Sequence, residues 1–109
     1  MTQTIVVSAF SVNMLPRLTV SVEFKPIGLE DARELLKQEK EPESAVGHPD
    51  TAAVFTELLG KQVLCNRISI KMRQGTRLLL GQYSGPRLPE GARELPKGAT
   101  LDWWLVTAE

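Results

Sequence analysis

The chain holds one cysteine and one histidine, and aromatic residues fill only 6% of its 109 positions. A single cysteine, Cys65, excludes an internal disulfide. It precedes an apolar stretch and has no histidine beside it, which points to a buried, inert thiol. No HxxxH, CxxC or carboxylate cluster of ligand spacing is present, so neither a metal site nor a cofactor is expected. Thirteen basic residues balance thirteen acidic ones. That excludes the basic stripe of a protein that grips long nucleic acids. No apolar run reaches the length of a membrane span, and Met1 to Ser8 lacks the charged start of a secretory signal. A cytosolic location with no membrane partner is the expectation. Internal repeats and low-complexity stretches are also lacking.

What is present is enough apolar residue, 42%, for one small core. The length fits one domain spanning residues 1–109. A core of this size leaves room for a dimer. Charge is unevenly spread. Residues 1–60 carry five basic and nine acidic residues, whereas residues 61–109 carry eight and four. The second half is therefore net positive and suits a small anion.

Apolar patterning predicts strands over Thr4–Phe10, Leu18–Phe24, Arg67–Met72, Thr76–Tyr83 and Leu101–Thr107. The third and fourth read as a hairpin turning at Gln74-Gly75. Helices are predicted over Leu29–Lys40, with Leu29, Ala32, Leu35 and Leu36 on one face, and over Pro49–Leu59, closed by Gly60. Ser11–Leu15 reads as a tight turn, Glu41–Ser44 as a polar linker and Ala92–Lys97 as a short helical turn. Trp103 and Trp104 should point to opposite faces of their strand. The order fits an α/β (α+β) domain: a mixed sheet of about five strands flanked by helices.

The lone histidine, His48, stands immediately before Pro49. Proline suits the first helical position, so His48 is the predicted N-cap. A helix start of this kind attracts phosphate through its exposed N–H groups. An imidazole beside such a site is what phosphodiester cleavage requires.

Four stretches occur in order: Ala9-Phe10-Ser11-Val12-Asn13-Met14-Leu15; Gly47-His48 with Thr51; Asn66-Arg67-Ile68-Ser69-Ile70-Lys71; and Arg87-Leu88-Pro89-Glu90-Gly91. In this order and spacing the chain resembles the small ring nucleases of the viral type III anti-CRISPR family and its cellular CRISPR-associated relatives. The resemblance implies a homodimer of mixed α/β fold that binds cyclic tetra-adenylate across the dimer interface. It implies metal-independent cleavage to linear di-adenylates ending in 2′,3′-cyclic phosphate, which silences type III CRISPR signalling. It implies His48 as general acid, with Arg87 and Glu90 assisting. Ser11 and Asn13 match ligand-pocket positions, and Ser8, Asp50, Thr51, Arg67 and Gln82 are further candidate ligand contacts. The chain departs from the family pattern before Arg87, where Tyr83-Ser84-Gly85-Pro86 is one residue longer, and at Ser8 and Pro49-Asp50.

Plain structural readings stand beside these. His48 serves equally as an ordinary N-cap, and Ser11 and Asn13 as turn caps. Arg67 fits a strand-end surface charge, and Arg87 with Glu90 an exposed ion pair of small energetic value. A non-catalytic module that sequesters or senses the cyclic oligoadenylate is the alternative to the enzyme. A protein-interaction domain using its sheet and tryptophans is a third reading.

Overall fold

The computed structural model describes residues 4–16, 20–39 and 42–108. Three leucines in a row, Leu78 to Leu80, are all buried. Such an unbroken apolar run belongs to a strand covered on both faces. That strand is central in the sheet. In chain order the elements are β1 (Thr4–Val7), a 3-10 turn (Val12–Met14), β2 (Val22–Ile27), α1 (Leu29–Lys37), β3 (Glu43–Ser44), α2 (Pro49–Leu59), β4 (Arg77–Ser84) and β5 (Thr100–Ala108). The sheet order is β2-β5-β4-β1-β3. β1 runs parallel to β3 and β4, while β5 runs antiparallel to β4 and β2. The mixed five-stranded sheet with two helices bears out the expected fold class.

Alternation divides the core in two. Val6, Leu79 and Trp103 join Ala32 and Leu36 of α1 and Ala52, Phe55 and Leu59 of α2 in one cluster. Val7, Leu78, Leu80, Val106 and Ala108 form the second, on the face that carries no helix, with Met72 closing over them. Trp103 belongs to the first cluster and Trp104 packs on the second, as opposite-face side chains should. Both helices use the expected faces. Leu29, Ala32, Leu35 and Leu36 all meet the first cluster, and Gly60 ends α2 at φ 72°.

The expected hairpin does not form. Both edges of β4 are occupied, one by β1 and the other by β5, so Arg67–Met72 has no strand to pair with. Residues 66–73 instead run as an irregular strap outside the sheet, with a local turn where the Ile68 N–H donates to the Asn66 carbonyl at 3.1 Å. Of its alternating apolar residues, Ile70 and Met72 pack onto the second cluster, while Ile68 is exposed. The fifth strand comes from the segment read as a polar linker: Glu43 and Ser44 pair with Ile5 and Val6. The first strand stops at Val7 rather than Phe10. The second is shifted to Val22–Ile27 and accommodates Pro26 because β2 is an edge strand. Leu18 and Thr19, expected in that strand, lie outside the described residues, as do Lys40 and Glu41.

α1 ends at Lys37. Glu39 turns back beyond it to accept a hydrogen bond from the Thr4 backbone N–H at 2.9 Å. Ala92–Lys97 forms no helical turn, being irregular with a bend at Glu94 and a turn beginning at Lys97, and Cys65 is exposed rather than buried. Its backbone forms a parallel bridge with Val46 just before the strap, with the thiol on the solvent side.

Gly81 faces Trp103 across the β4–β5 pair. A Cβ there would sit 2.5 Å from Phe55 Cζ and 2.8 Å from Trp103 Cζ3. The missing side chain is what lets those rings meet, with centroids 5.0 Å apart. Gly81→Ala is expected to cost about 1–3 kcal/mol through overpacking, measured as a lower urea midpoint with unchanged slope.

Candidate functional site

Because β1, β3 and β4 are mutually parallel, their carboxyl ends emerge at one edge of the sheet. Ligands of α/β sheets gather at such edges. From β1 the chain leads into Ser8 and the 3-10 turn, from β3 into His48 and α2, and from β4 into the long loop that carries Arg87. Topology thus collects segments far apart in sequence.

An open cleft of about 320 Å³ lies between the start of α2 and this loop, lined by His48, Asp50, Thr51, Tyr83, Arg87 and Leu88. His48 is the N-cap, with extended backbone at φ −125° and ψ 128°, and Pro49 opens the helix behind it. Its backbone carbonyl accepts the Ala52 N–H at 3.0 Å. Its side chain makes no capping hydrogen bond and is exposed, so the imidazole stands at the cleft with both nitrogens available to a ligand.

The loop opposite is fastened at both ends. Tyr83 donates its hydroxyl hydrogen to the Pro86 carbonyl, and the Gly91 N–H donates to Asp50 Oδ1 at 3.0 Å. Gly85 takes φ +149°, where a Cβ would lie 2.7 Å from Ala99 Cβ. Arg87 sits between these fastenings. Glu90 is on the same loop, exposed, outside the cleft lining and not ion-paired with Arg87.

The remaining candidates share the edge but do not line the cleft. Arg67 donates from Nη2 and Nε to the Gly47 carbonyl at 3.3 and 3.4 Å, one residue from His48. Ser11 Oγ accepts the Asn13 N–H at 3.2 Å, the capping use that the sequence allowed. Asn13 in turn offers its carbonyl to Lys71 Nζ at 2.5 Å. Ser8 lies at the bend that ends β1. Gln82 is exposed and pairs with Asp102, on the sheet face opposite to that of Tyr83.

The strap ties these pieces together. Asn66 N–H donates to the Val46 carbonyl at 2.8 Å, and Met72 N–H to the Met14 carbonyl at 2.7 Å. One segment therefore braces both the histidine loop and the turn after β1. Tyr83 and Leu88 escaped the sequence reading. The signal for Tyr83 was the period of two along β4, which sets it on the face of Leu79 and Gly81. Among the described residues no three His, Cys, Asp or Glu side chains converge on a point, and no helix is long and apolar enough to cross a membrane.

The fold and this arrangement have a counterpart. The chain belongs to the STIV B116-like family, whose model matches residues 4–97. That stretch contains all four sequence motifs and the whole cleft lining. Among solved structures it is similar to B116 of Sulfolobus turreted icosahedral virus (STIV). The identity is 26% and the TM-score 0.79, over 96% of this chain and 98% of that one. A search of curated proteins finds no match.

Gly85→Ala would force a side chain into a backbone conformation that L-residues avoid, against Ala99. It is expected to cost about 1–3 kcal/mol of local stability and to release the Arg87 loop. Limited proteolysis should then cut between residues 85 and 99 faster than in the wild type, with helix content by circular dichroism unchanged.

Proposed function

We propose that the chain is a metal-independent ring nuclease that binds cyclic tetra-adenylate and opens it to linear di-adenylates ending in 2′,3′-cyclic phosphate. The observation that carries this reading is the meeting of His48 and Arg87 in one cleft at the start of α2. RNA brings its own nucleophile. The ribose 2′-hydroxyl gives up its proton to water as its oxygen attacks the adjacent phosphorus, the P–O5′ bond breaks, and the leaving 5′-oxygen takes a proton from the His48 imidazolium. Arg87 offers a planar fork to the phosphate as charge develops. The N–H groups at the start of α2 add partial positive charge on the same side. Glu90, beside Gly91 on the loop, takes its assisting role from the family resemblance alone, since it does not line the cleft.

A ring of four equal units suits a two-fold homodimer, with each subunit presenting one His48 to opposite linkages. Ser8, Ser11, Asn13, Arg67 and Gln82 are then the surface over which the rest of the ring spreads, around the shared edge. The product no longer activates the effector nucleases of type III CRISPR defence. B116 is a viral protein by name; for a virus-encoded copy this activity works in the host cytoplasm and suppresses immunity.

The second reading is a non-catalytic module that sequesters or senses the ring. The doubly fastened loop favours it, because Arg87 is held there on a stretch one residue longer than the family's pattern.

Incubation of the protein with cyclic tetra-adenylate in EDTA separates the readings. Turnover over many enzyme equivalents supports the nuclease, and stoichiometric binding without product supports the module. His48→Ala is expected to lower cleavage by about 10²- to 10⁴-fold, the usual contribution of a general acid, with ring binding retained. Light scattering should give twice the 12.1 kDa chain mass.

A further inference from the structure

Asp50 is the one acid in the cleft lining, and it occupies the first turn of α2. An acid there is favoured by the positive end of the helix. A bound phosphate would be favoured by the same end, so carboxylate and anionic ligand compete for one field. Yet Asp50 has a second task that a ligand contact would not explain. Its Oδ1 accepts the Gly91 N–H at 3.0 Å, across 41 residues of sequence. Gly91 has φ +80° with nothing within 4 Å of its Cβ position. The glycine is therefore needed for backbone direction, which turns the N–H toward the helix.

On the other side the Tyr83 hydroxyl holds the Pro86 carbonyl. Between these two fastenings lie Arg87, Leu88, Pro89 and Glu90. We infer that Asp50 is a positioning residue rather than a ligand contact. Its carboxylate latches the loop through Gly91 and so presents Arg87 to the cleft, at the expense of repelling the anionic ligand. The cleavage part of this inference rests on the ring-nuclease reading; the latch itself does not.

Two variants separate the tasks. Asp50→Asn keeps an oxygen that can accept the Gly91 N–H but removes the charge. Asp50→Ala removes both. Amide exchange of Gly91, followed by NMR on the ligand-free protein, reads the latch without any substrate. Exchange about tenfold faster in Asp50→Ala, with Asp50→Asn between it and the wild type, is the expected result for loss of one charge-assisted hydrogen bond. An unchanged Gly91 rate in Asp50→Ala overturns the latch.

Cleavage of cyclic tetra-adenylate, where the wild type performs it, reads the consequence. Asp50→Asn, which keeps an acceptor for the Gly91 N–H but weakens the latch, should lower KM severalfold because the repulsion is gone, and should lose less of kcat than Asp50→Ala. Asp50→Ala should lower kcat by about 10- to 100-fold, up to the scale on which a 1 Å misplacement acts. A wild-type kcat in Asp50→Ala, or an Asp50→Asn variant as impaired as Asp50→Ala, overturns the positioning role. A wild type that leaves the ring intact removes the nuclease reading instead, and the Gly91 measurement still decides the latch.

Discussion

The parallel pairing of β1 with β4 is the constraint from which the site follows. Val6 and Val7 lie beside Leu79 and Leu80, and all four are buried. Each buried side chain of this size contributes about 1.5–3 kcal/mol. A slip of one residue would exchange the two faces of β4 and lose both clusters at once. Register and direction are therefore held together. Direction is what matters for chemistry, since two parallel strands must release their following segments at the same edge. With β3 also parallel to β1, the histidine loop joins them there.

That edge would be loose without the strap. The strap and Leu64 before it add no strand to the sheet, yet their polar groups bind what the strands leave behind. Asn66 Nδ2 donates to the Ser44 carbonyl at 2.8 Å, and Ser44 Oγ donates to the Leu64 carbonyl at 2.6 Å. Arg67 covers Gly47, and Lys71 covers the turn after β1. Cations at these points also give the edge its positive side, although the whole chain carries no net charge. Asp50 is the counterweight within the cleft. Rigid elements support His48, while Arg87 is on a loop, a division common in sites that must admit a ligand and then close around it.

Much was legible along the chain because it depends on local chemistry. Pro49 after His48 and Gly60 after Leu59 mark the limits of α2. The 3.6-residue spacing of Leu29, Ala32 and Leu36 marks the buried face of α1. Alternation put Trp103 and Trp104 on opposite sides of β5. The motif order carried the likeness to ring nucleases, and the family whose model covers residues 4–97 accounts for the fold but is silent on that chemistry. Period-two patterning misled at Arg67–Met72, since an irregular segment that sets Ile70 and Met72 on an apolar face shows the same spacing as a strand. Nothing local marked Glu43 and Ser44 as a strand, because a two-residue partner has too few side chains to show a period.

The amino-acid order by itself determined where helices begin and end, which faces are apolar, and that one histidine stands at a helix start. These are matters of capping, dihedral preference and spacing, settled among near neighbours. The tertiary structure alone decided which strands neighbour β4, that the end of β4 carrying Tyr83 meets the start of α2, and that Asp50 reaches Gly91. Those outcomes depend on competition for the two edges of one strand and on contacts across many residues, which no local stretch can express.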